Sequence, residues 1–88
     1  MKGAKERLAL AERLPGGAPD HPIRVESASL VEPTALGTPC VVCGAHMLLV
    51  DHEARVIGGT SLRVVTCKCH DCGTRRALYL EIVAPLLQ

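Results

Sequence analysis

Four of the five cysteines in this 88-residue chain fall into two copies of one pattern, Cys40-Val41-Val42-Cys43-Gly44 and Cys69-His70-Asp71-Cys72-Gly73. Two CxxC turns that face one another supply four soft thiolates at about 2.3 Å from a shared centre, the tetrahedral set that suits one zinc ion. The glycine after each second cysteine fits the same reading, because the turn that aims backbone N–H groups at the sulfurs commonly ends at a positive φ. Cys40, Cys43, Cys69 and Cys72 are therefore the expected metal ligands, with Zn2+ in a structural role. Cys67-Lys68-Cys69 offers an alternative pair. Only Cys69 with Cys72 repeats the first half with its trailing glycine, which leaves Cys67 as a small apolar residue at the end of a strand; the other reading of Cys67 is a reserve or redox-sensing thiol beside the site.

A site closed by four thiolates has no open position for water, so Lewis-acid catalysis is not expected of it. His46, His52 and His70 read as surface or strand histidines. Asp51-His52-Glu53 resembles a catalytic cluster only in composition, and reads as a solvated turn. Gly58-Gly59 lacks the Lys-Ser/Thr of a phosphate loop, and Gly16-Gly17 follows no strand. The chain is expected not to be an enzyme.

Composition narrows the remaining classes. The formal net charge is +1, which provides no long-range field for a polyanion. Aromatic residues make up 1 %, a single Tyr79, so the core must be built from Leu, Val, Ile and Ala. So short a chain has a modest core, and a metal is a common supplement to it. An odd number of cysteines, four of them in CxxC pairs, fits metal binding in a reducing compartment and makes the cytoplasm the default location. The longest apolar run near the start, Leu8 to Ala11, is too short for a signal segment, and no stretch is long enough to span a bilayer.

The elements that must position the cysteines follow from pattern. Ala4 to Leu14 predicts a helix with Ala4, Leu8, Ala11 and Leu14 on one stripe, stopped by Pro15-Gly16-Gly17. It either folds back on its own domain or docks on a partner. Residues 1–22 thus form a helix and a Pro/Gly linker, and residues 23–88 the domain that carries the cysteines. Ile23 to Glu32 alternates and predicts a strand at a sheet edge. His46 to Val50 predicts a short strand, Asp51 to Thr60 a turn around Gly58-Gly59, and Leu62 to Lys68 the returning strand. Arg76 to Val83 is the last strand, ended by Pro85, with Leu86-Leu87 continuing its apolar character.

Knuckle, strand, turn, strand, knuckle, strand is an order that resembles the zinc-ribbon family, over Cys40 to Val83 and on the strength of the doubled CxxCG. The resemblance implies a small, metal-stapled, mainly β fold: a three-stranded antiparallel sheet with the ion at one end, here extended by the N-terminal strand and the short helix. Rubredoxins hold iron with two similar knuckles, but theirs is an aromatic-rich core, so zinc is favoured. Zinc ribbons serve many processes, and the resemblance does not choose among them.

Three functions remain. The final strand is apolar on both faces and mean hydropathy is +0.23. This favours a small adaptor or regulatory module that presents Leu8, Ala11, Leu78, Tyr79, Leu80 and Ile82 to another protein. The runner-up is nucleic-acid binding through Arg63, Lys68, Arg75 and Arg76. Asp71, Glu81 and the net negative charge of a divalent ion held by four thiolates all weaken that patch. A thiol switch that releases zinc on oxidation is the third and weakest reading.

Overall fold

The structure, a computed structural model, describes residues 3–83. Helix α1 spans Ala4–Ala11, strand β1 Ile23–Val25, helix α2 Val31–Leu36, and strands β2, β3 and β4 span Met47–Ile57, Thr60–Cys69 and Arg75–Ile82. The strands form a four-stranded sheet in the order β1-β4-β3-β2. β2, β3 and β4 are antiparallel neighbours, and β1 runs parallel to β4 with Ile23 beside Leu80 and Val25 beside Ile82. The expected mainly β architecture is present. Pro85, expected to end the last strand, and the apolar Leu86-Leu87 lie outside the described residues.

Three segments depart from expectation. The strand expected over Ile23 to Glu32 stops at Val25 and gives way to a 3-10 turn at Ala28–Leu30 and then to α2. Val31 and Ala35, one helical turn apart, are both fully buried, so the apolar spacing that governs is that of a helix. Pro33 does not oppose this, because it falls in the first turn, where an N–H has no helical acceptor to lose. α1 ends at Ala11, and Leu14 belongs to the turn that follows.

The third departure is β2. It runs unbroken to Ile57 through Asp51-His52-Glu53, which is therefore strand and not a solvated turn. Pairing alternates faces along a strand. Asp51, Glu53 and Arg55 lie on one face, while His52 lies on the other and is half-buried. Only Gly58 and Gly59 form the reversal. Both have positive φ, 57° and 82°, the combination that a two-residue hairpin matched to strand twist requires. A register shift between Leu49 and Asp51 leaves Val50 as an extra residue in β2.

The main core cluster lies on one face of the sheet, while Leu62 and Val64 are buried on the other. In that cluster Val25, Met47, Val65, Cys67, Leu78 and Leu80 pack beneath Val31 and Ala35 of α2. Burying a side chain such as Val31 or Leu80 stabilises the fold by about 1.5–3 kcal/mol. α2 thus covers this face of the sheet.

Candidate metal centre

Both knuckles sit at one end of the sheet because the β2–β3 hairpin brings the chain back to its starting point. Met47, which opens β2, pairs with Cys69, which closes β3. The first knuckle lies between α2 and β2, and the second joins β3 to β4. An inter-knuckle bond from the His70 N–H to the His46 carbonyl, 3.0 Å, fixes one against the other.

The two knuckles repeat each other in their main-chain bonds. The Cys40 N–H donates to the Ala45 carbonyl at 3.0 Å, and the Cys69 N–H to the Thr74 carbonyl at 2.8 Å. The Gly44 N–H donates to the Cys40 carbonyl and the Gly73 N–H to the Cys69 carbonyl. Gly44 and Gly73 both have positive φ, 79° and 75°. That conformation reverses the chain at the same place in each turn, at no Cβ penalty.

Cys40, Cys43, Cys69 and Cys72 point inward so that their sulfurs all lie within 4.8 Å of one another. Cys40 Sγ is 3.7 Å from Cys72 Sγ, and Cys43 Sγ is 3.4 Å from Cys69 Sγ. A tetrahedron with ligand bonds of about 2.3 Å has sulfur–sulfur edges of about 3.8 Å. The spacing therefore fits four thiolates around one metal ion. Cys40 and Cys69 are buried, whereas Cys43 and Cys72 remain exposed to solvent.

The surroundings favour negative charge on sulfur. The Val42 N–H donates to Cys40 Sγ and the Cys72 N–H to Cys69 Sγ, each at 3.4 Å. The Thr74 hydroxyl, 3.1 Å away, donates to Cys72 Sγ. That side-chain bond, followed by one from the Thr74 backbone, lowers Cys72 to about 6. Cys43 behaves oppositely. An Ala45 N–H bond pulls it down but is outweighed by the thiol bond shared with Cys69, desolvation, and further bonds to Cys72 and Cys40, so it stands at about 12. Without metal the four groups share protons unequally, and a bound cation would displace them.

Cys67 stands apart from the cluster. It is fully buried in the core opposite Arg76, and its thiol is pushed up by desolvation, with the Arg76 charge acting in the other direction. Arg76 is half-buried, and burial lowers it while the charges of Cys67 and Cys40 raise it. A guanidinium so placed is a counter-charge for an anionic thiolate site.

The remaining candidates separate. Lys68 and Arg75 pair across β3 and β4 on one face and are exposed; Arg63 and Arg76 lie on the opposite face and are half-buried. The four basic side chains thus form no single patch. Of the six apolar residues expected to face a partner, Ala11, Leu78 and Leu80 are buried, with Leu78 and Leu80 only 1 % and 0 % exposed. Leu78 and Leu80 belong to the interior because alternation on β4 turns them under α2. Leu8, Tyr79 and Ile82 are half-buried. What sequence reasoning missed is most of the exposed ones: Leu10 and Leu30, and on β2 Leu48, Leu49, Val50 and Val56; Leu14, which it placed on the helix stripe, is exposed as well. Leu10 stands four residues before Leu14, a spacing that the stripe through Leu8 and Ala11 obscured.

His70 is exposed and bonds its neighbour Asp71, while His52 pairs with Glu32. Neither joins the sulfur cluster. Among the described residues no helix is long and apolar enough to cross a membrane. No family model matches the chain, and comparison with curated proteins and with solved structures likewise finds no match.

Proposed function

We propose that this chain is a non-catalytic protein-interaction module of zinc-ribbon type, held at one end by a single structural zinc ion and working as an adaptor or regulatory subunit. The observation that carries the reading is the link between the cysteine knuckle and an apolar surface. The Arg7 guanidinium of α1 donates to the Val42 carbonyl inside the first knuckle. Around that bond Leu10, Ala11 and Leu14 line a shallow groove with Val41. Leu10 and Leu14 are exposed there, and large apolar side chains gathered beside an ordered turn are what a partner surface requires. The ion would be held by Cys40, Cys43, Cys69 and Cys72, and when bound it supplies rigidity to the knuckle on which α1 rests. Zinc is favoured over iron by the aliphatic surroundings, and cysteines in CxxC pairs suit a reducing compartment such as the cytoplasm.

The test is co-purification of the tagged, zinc-loaded chain from native lysate after nuclease treatment. A stoichiometric protein partner that is lost with Leu10→Asp or Leu14→Asp, each retaining one zinc, is the expected result. A partner that survives both substitutions overturns the docking surface.

A second reading rests on Lys68 and Arg75. They stand directly opposite each other, and among the described residues neither forms an ion pair. Such a like-charge pair is unfavourable unless an anion lies near, and the anion is either the thiolate cluster or a nucleic-acid phosphate. Binding to RNA or DNA that weakens steeply with salt and is lost in Lys68→Ala would favour nucleic acid.

A further inference from the structure

β2 is the outermost strand on its side of the sheet, and its free edge carries no neighbour among the described residues. It is also the longest strand, spanning Met47–Ile57. Four of the exposed large apolar side chains belong to it: Leu48, Leu49, Val50 and Val56, the last 74 % exposed. Between the two apolar ends lies a charged centre, with Asp51, Glu53 and Arg55 on one face. Edges of this length are commonly protected by charges that repel a second strand. Here the order of the charges does the reverse.

We propose that the free edge of β2 pairs antiparallel with β2 of a second copy, joining the two sheets across a twofold axis at Glu53. In an isologous contact each pairing occurs twice. With Glu53 on the axis, Asp51 of each chain lies opposite Arg55 of the other, and His52 lies opposite Ala54. The apolar ends then meet: Leu49 and Val50 of one chain reach Val56 and Ile57 of the next. The like-charged Glu53 pair on the axis is flanked by Arg55 from both chains. Arg55 already bridges Glu53 within its own strand, so the cation is held in place before association.

Backbone parity agrees with this register. The Gly58-Gly59 reversal makes Ile57 and Thr60 a hydrogen-bonded pair, so within the regular stretch Val56, Ala54 and His52 direct their N–H and C=O groups to the free edge. In the proposed register His52 and Ala54, both edge-directed, meet each other on either side of the axis, as main-chain pairing demands. The occupant is a second copy because the strand is its own complement: acid, acid, base reads against base, acid, acid. The proposal is independent of the α1 groove, which uses other residues.

The test is a charge exchange read by sedimentation or light scattering on the zinc-loaded full chain. The wild-type protein is expected at twice its 9.3 kDa mass. Asp51→Arg places Arg opposite Arg55, and Arg55→Asp places Asp opposite Asp51, so each variant alone is expected to dimerise on the order of a hundredfold more weakly. Mixed in equal amounts, the two variants oppose unlike charges at both positions, and the dimer is expected to return. That recovery also shows that both variants fold. A monomeric wild type, a dimer indifferent to both substitutions, or a mixture that stays monomeric overturns the proposal, as does a monomer that recruits a different polypeptide to β2.

Discussion

His52 Nδ1 of β2 lies 2.8 Å from Glu32 Oε2 of α2, a side-chain bond that ties the covering helix to the sheet. The other imidazole nitrogen, Nε2, is buried without a partner. The pair therefore holds a polar ring between α2 and the sheet, and the ring depends on one carboxylate for its hydrogen bonding.

Removing that carboxylate alone should be worse than removing both groups. Glu32→Ala leaves the half-buried ring unpaired and is expected to cost about 1–3 kcal/mol. Adding His52→Leu to it replaces the unpaired ring by an apolar side chain and should recover part of the loss. Urea midpoints measured with metal in excess decide this, and a double variant no more stable than Glu32→Ala would contradict the arrangement.

Cys67 should be dispensable for metal and important for packing. Cys67→Ser is expected to retain one ion per chain while losing about 1–3 kcal/mol, because a hydroxyl replaces the thiol in a fully buried position. Cys67→Ala should lose stability without introducing a polar group. Metal analysis of the serine variant is the direct check, and loss of the ion would make Cys67 a ligand.

Acid should release the metal, and the direction follows from the thiols. With Cys43 raised to about 12, binding at neutral pH displaces a proton from it, so affinity rises with pH. Cys72, lowered to about 6, is already ionised at neutral pH and contributes no proton there. Below about 6 it too must be deprotonated, and the fall of affinity with pH should steepen by one proton. Chelator competition across this range reads the slope. A pH-independent affinity would mean that the thiolates are not the ligands.

Cys67 sets a second pH limit. Its thiol stands above the ordinary value of 9.0 in the folded chain, so the neutral form is favoured by folding. That stabilisation is complete below the unfolded value and is lost as pH rises from there through the raised folded value. Thermal midpoints of the metal-loaded protein should decline on the alkaline side of about 9, and the decline should be smaller in Cys67→Ala.

The parts of this fold that were legible in the sequence are those fixed by local chemistry. The doubled CxxCG located the sulfur cluster, since spacing and glycine together specify a turn. Gly58-Gly59 located the hairpin, and the three antiparallel strands followed in order. The parts that were not legible depend on what covers what. Asp51-His52-Glu53 looked like a turn because an edge strand can carry charge on its open face. Val31 and Ala35 were hidden by Pro33 and by an apparent alternation before them, yet burial against the sheet favours the helix. Leu78 and Leu80 were read as surface because nothing in the sequence says that α2 lies over them.

The central claim is that Cys40, Cys43, Cys69 and Cys72 together hold one ion. The most direct measurement is X-ray absorption at the zinc edge on protein reconstituted with one equivalent of zinc. Four sulfur neighbours at about 2.3 Å are predicted. A shell containing nitrogen or oxygen, or a chain that fails to retain the equivalent, would contradict it.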